Sequence, residues 1–84
     1  MQYSTHLLRH TRFIIGQNIH HHRRRHKIPL PRLAKLTSLP ELLIDHYELG
    51  KNEVQLDHLF KIACALNVRL EALLEDGGER GAHP

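Results

Sequence analysis

The sequence is most informative first for what it has little of. Among its 84 residues there is one cysteine, Cys64. No intramolecular disulfide can form, which suits a reducing, cytoplasmic setting. No apolar run approaches the roughly 18 residues needed to span a bilayer. The longest near the start, Phe13-Ile14-Ile15, is too short for the core of a signal peptide. No membrane role is expected. There is no strand-like alternation and no internal repeat. A Gly-rich phosphate loop and a nucleophile elbow are both missing. No enzyme activity is expected, and no cofactor.

The scarcest thing is acid in the first half. Residues 1–37 carry eight Lys/Arg (Arg9, Arg12, Arg23, Arg24, Arg25, Lys27, Arg32 and Lys35) and no Asp or Glu. Residues 38–84 hold four basic and all nine acidic residues. The halves therefore stand at +8 and −5 within a net charge of +3. A basic half points to a polyanionic partner, nucleic acid first. A solvated basic face is the alternative, and charge alone does not separate the two.

What is present is enough apolar residue to fold. Hydrophobic content is 40%, which favours one small domain of marginal stability. Ile15, Ile19, His22 and His26 fall at helical spacing, predicting a helix over about 11–26. Gly16 sits inside it at a cost of about 1 kcal/mol relative to Ala. Pro29 and Pro31 bracket a second helix through Leu33, Ala34 and Leu36. Ser38-Leu39-Pro40-Glu41 matches a capping box and predicts the start of a third, which Gly50 stops. Leu56, Leu59, Phe60, Ala63 and Leu66 form a stripe on a fourth helix ending at Asn67. Leu70, Leu73 and Leu74 mark a fifth. The expectation is all-α: a compact five-helix bundle over 13–76. An N-terminal arm or helix extension (1–12) precedes it, and a flexible tail (77–84) follows.

These residues together carry a resemblance. Ile15-Gly16-Gln17-Asn18-Ile19, Arg23, Leu33-Ala34, Glu48-Leu49-Gly50, Leu59 through Val68, and Leu70, Leu73 and Leu74 are in register with one pattern. From Ile15 to Leu74, about 60 residues without a gap, the chain resembles the Cro/C1-type (XRE-like) helix-turn-helix domain. The resemblance implies a lambda-repressor-like fold with a helix-turn-helix at Leu30–Leu49. It also implies a prokaryotic or phage-like regulator that binds double-stranded DNA as a dimer. In such domains helix 2 braces the DNA backbone and helix 3 enters the major groove. An ion pair between Arg23 and Glu48 is implied too.

At about 100° per residue, Leu39, Pro40, Leu43, Ile44 and Tyr47 share the core side of helix 3. Leu42 and Asp45 point outward, flanked by Glu41 and His46. These four are the expected base-facing residues. Lys27, Arg32, Lys35, Lys51 and Asn52 are expected at phosphates. The outward set departs from the family, where Gln, Arg, Ser, Thr or Asn are usual. Leu30 also stands where the family often has Gln. Exposed Leu30 and Leu42 beside Glu41 and Asp45 fit a second reading. In it the chain is a protein-binding adaptor or antiactivator that has lost base readout and binds a regulatory protein.

Nine histidines raise the question of metal. His22 and His26, like His6 and His10, are spaced i, i+4, but no Cys-x-x-Cys framework accompanies them. No metal site is expected. His22 is read as a core-edge residue, His20 and His21 as facing water, and Cys64 as inert packing. Histidines beside Arg23-Arg24-Arg25 gain charge below about pH 6.5, which would strengthen nucleic-acid binding in acid.

Overall fold

The structure, a computed structural model, describes residues 5–76. Five helices lie in this span: α1 (Thr5–Arg25), α2 (Leu30–Thr37), α3 (Glu41–Glu48), α4 (Leu56–Leu66) and α5 (Leu70–Leu74). No strand occurs among the described residues. The chain is all-α, as its periodicity implied. Residues 77–84, expected to form a flexible tail, lie outside the described residues, as do residues 1–4. None of the described helices is long and apolar enough to cross a membrane.

α1 packs on α3 and α5, α2 packs on α3 and α4, and α4 also meets α5 and α1. Their shared core is aliphatic. Ile15 and Ile19 meet Leu33, Leu39, Ile44, Leu59, Ile62, Ala63, Leu66 and Leu73, with Tyr47 the one aromatic ring fully inside among the described residues. Burial of each large side chain contributes about 1.5–3 kcal/mol. That is a large share of the stability available to a domain this small.

Four helices stop in the same way. Lys27, Ser38, Gly50 and Asn67 adopt left-handed backbone, with φ of 57°, 58°, 72° and 57°. The next amide then reaches back to an orphan carbonyl: Ile28 to Arg23, Leu39 to Ala34, Lys51 to His46 and Val68 to Ala63, at 2.9–3.2 Å. This satisfies groups that each helix end leaves open. Only Gly50 takes the conformation without steric cost; the other three each cost about 1 kcal/mol.

The geometry corrects several expectations. Ser38 does not cap α3: it is the left-handed stop of α2, and α3 starts from Pro40 with no side-chain cap. Pro40 is exposed, although rotation alone put it on the core side. On α4, Ile62 joins Leu59, Ala63 and Leu66 inside, whereas Leu56 is 64% and Phe60 49% exposed. Cys64 is exposed as well. It shares an open apolar groove with Leu36, Phe60, Lys61 and Ala65. The apolar arc of α4 is wider than its neighbours cover. On α1, His26 is exposed rather than part of the core stripe, and His22 is half-buried. The helix itself begins at Thr5, well before residue 11.

Candidate nucleic-acid interface

α2 and α3 are joined by Ser38, Leu39 and Pro40. Leu39 is buried and ties the turn to the core, and buried Thr37 donates its hydroxyl to Leu33 O at 2.8 Å. The result is a helix-turn-helix in which the inner side of α3 is firmly held.

Three contacts hold that inner side. The first is a close approach. A Cβ at Gly16 would collide with Tyr47 O and lie 2.8 Å from Glu48 O. The backbones of α1 and α3 therefore meet where only hydrogen fits. The helix-propensity cost of Gly16 is the condition for this crossing.

The second is an ion pair. Arg23 donates from Nε to Glu48 Oε2 at 2.6 Å and from Nη2 to Oε1 at 3.0 Å. Its Nη1 donates to Ile28 O at 3.0 Å. One guanidinium thus fastens α3 to α1 and to the loop before α2. The side chains of Arg23 and Glu48 are 13% and 6% exposed. A two-bond fork of this kind offsets the cost of desolvating both charges. The hydrogen bond to Glu48 holds the Arg23 cation above its usual pKa; burial opposes this, and the charges of Glu48 and Asp45 add to it.

The third joins α3 to α4. Tyr47 Oη lies 2.8 Å from His58 Nδ1. Burial pushes the Tyr47 phenol above its ordinary value, while a backbone hydrogen bond from Gln55 pulls the other way and Asp57 adds to the rise.

Two members of this scaffold escaped the sequence reading. His20 was expected to face water. It is exposed, yet its Nδ1 lies 2.8 Å from Glu48 Oε1. Its place three residues before Arg23, on the same helical side, was the available signal. Asn18 is buried and donates from Nδ2 to Leu73 O at 3.0 Å and Glu75 O at 2.6 Å. It caps the end of α5 from α1, a long-range role that periodicity does not reveal.

The outer side of α3 looks different. Glu41 is exposed, Leu42 is 64% exposed, and Asp45 and His46 are half-buried. Leu49, seven residues after Leu42 and so on the same face, is 56% exposed. Lys27, Arg32, Lys35 and Lys51 are exposed on the α2–α3 unit and its flanks, and Asn52 is half-buried. Leu30 departs from expectation: it is half-buried and packs against the core. The expected pair of exposed leucines is reduced to Leu42, with Leu49 in place of Leu30. Among the described residues, no three His, Cys, Asp or Glu side chains are grouped to hold a metal ion.

No protein-family model matches this sequence, and no curated protein matches it. Solved structures do. The restriction-modification controller protein C.AhdI from Aeromonas hydrophila is 26% identical, with a TM-score of 0.72; the match covers 74% of this chain and 94% of that one. A hypothetical transcription factor from Neisseria, NHTF, is 24% identical, with a TM-score of 0.78 over 86% of this chain and 83% of its own. The five-helix arrangement is therefore the fold of these two proteins.

Proposed function

We propose that this chain is a small helix-turn-helix transcription regulator that binds double-stranded DNA as a homodimer. The observation that carries the reading is the division of α3. Its inner side is fixed by Gly16, Arg23 and Tyr47, its outer side is left open, and exposed cations stand on α2 and in the segments flanking the α2–α3 unit. The likeness to a restriction-modification controller supports it. Lys27, Arg32, Lys35 and Lys51 would contact phosphates, with Asn52 beside them. These contacts give affinity and register without sequence information. Glu41, Leu42, Asp45 and His46 would face the bases. A dimer doubles the site, since one such unit reads too few base pairs to be selective. On α5, Leu73 is buried and Leu70 half-buried, which leaves Leu74, 49% exposed, as the apolar side chain free for a subunit contact.

A second reading rests on Leu42 and Leu49. Exposed Leu42, beside Glu41 in the first turn of α3, and exposed Leu49, just past its end, also suit a protein partner, as in an adaptor that has lost base readout. Titration of the full chain against its own upstream DNA and a scrambled duplex, at two salt concentrations, decides between them. Tight, selective binding supports the regulator. Weak, unselective binding that vanishes with salt supports the adaptor.

A further inference from the structure

α3 carries no Lys or Arg: its eight residues are Glu41-Leu42-Leu43-Ile44-Asp45-His46-Tyr47-Glu48. The usual reader of guanine is therefore missing from the helix that would enter the groove. At its first turn stand two neighbouring exposed side chains of opposite character, Glu41 and Leu42, the latter 64% exposed. We propose that this turn reads a cytosine through Glu41 and a thymine through Leu42. The inference rests on the DNA-binding reading above and adds which bases are chosen.

Elimination supports the cytosine. An ionised carboxylate only accepts hydrogen bonds. In the major groove guanine presents two acceptors, thymine presents O4, and adenine places its N7 acceptor beside the N6 donor. Cytosine offers its N4–H donor with an acceptor, the paired guanine O6, on one side only, whereas the adenine N6 donor is flanked on both sides, by its own N7 and by thymine O4. Guanine and thymine meet Glu41 with like polarity in a partly desolvated groove, and adenine does so at its N7. Glu41 therefore selects mainly by penalising the wrong base. Leu42 has no polar atom, and the thymine methyl is the one apolar group that an unmodified base pair shows there. Packing on it covers surface that the fold leaves open. Phosphate affinity would come from the cations outside α3, so that charge and base choice are divided between different residues.

Glu41 has a structural explanation as well. An acid in the first turn complements the helix dipole. That role affects stability and leaves base preference alone, so base preference is the quantity to measure.

The experiment is selection of the full-length protein on a pool of randomised duplexes, repeated with Glu41→Gln and Leu42→Ala. The wild-type protein is expected to enrich sites with cytosine and thymine at neighbouring positions. Glu41→Gln, which both donates and accepts, should move the cytosine position to adenine, a change in preference of about tenfold. Replacing the selected thymine by deoxyuridine removes one methyl. It should weaken wild-type binding about three- to fourfold and leave Leu42→Ala unaffected. Enrichment of a site that Glu41→Gln reads identically would overturn the inference while leaving DNA binding intact. No enrichment by the folded wild-type protein would overturn both.

Discussion

The two sides of α3 are built to different tolerances. The side facing α1 meets another backbone at Gly16, where a single methyl does not fit. It also holds a forked ion pair whose carboxylate is 6% exposed. The side facing away holds Leu42 at 64% and Leu49 at 56% exposure. The same short helix is thus over-determined on one side and open on the other. A recognition surface needs this arrangement, because exposed side chains read a target reproducibly only when the backbone beneath them is fixed.

The comparison predicts that substitutions on the inner side break the fold and those on the outer side break only binding. Gly16→Ala should have the largest effect, destabilising by about 3 kcal/mol or more, because backbone rather than a flexible side chain must move. Urea unfolding measures this, and a loss under 1 kcal/mol would show that the crossing can relax. Arg23→Ala leaves the Glu48 carboxylate with His20 alone and should cost about 3 kcal/mol. The double replacement Arg23→Met with Glu48→Met should recover much of that loss in the same assay.

Tyr47→Phe removes one hydrogen bond and should cost about 1 kcal/mol near neutral pH. It also has a pH signature. The phenol is raised above 10.0 in the fold, chiefly by burial. Between the unfolded and folded values the native state holds a proton that the unfolded chain has lost. The stabilisation is therefore full below about pH 10 and declines as pH rises through the folded value. Unfolding midpoints measured from pH 8 to 11 should fall more steeply for the wild type than for Tyr47→Phe, and parallel curves would refute this. On the outer side, Leu42→Asp should change stability by no more than about 0.5 kcal/mol. Binding assays should nevertheless show at least about a tenfold loss of duplex affinity, since a new carboxylate would face the groove.

Much of this was legible in the sequence, for identifiable reasons. The core residues Ile15, Ile19, Leu33, Ile44, Tyr47, Leu59 and Leu66 announce themselves by spacing, because helical period maps directly onto burial. Gly50 and Asn67 mark helix ends because few other residues accept left-handed backbone. Other features depend on neighbours that a local pattern cannot contain. Ser38-Leu39-Pro40-Glu41 fits a capping box letter by letter, but Ser38 is already committed to ending α2. Phe60 and Cys64 continue an apolar arc, yet nothing local says that α2 leaves part of it uncovered. Leu30 looked free on the second helix, and the packing of that helix turned it toward the core. Gly16 showed only its local cost, and the reason for it lies some thirty residues away, at Tyr47 and Glu48.

DNA binding through the α2–α3 unit is tested most directly by the salt dependence of duplex affinity, for the wild type and for Lys51→Gln. If Lys51 contacts a phosphate, the slope of log affinity against log salt should flatten by about 0.9 in the variant. Its unfolding midpoint should stay unchanged. An identical slope and affinity in both proteins would remove Lys51 from the interface, and an affinity indifferent to salt would contradict duplex binding at this face.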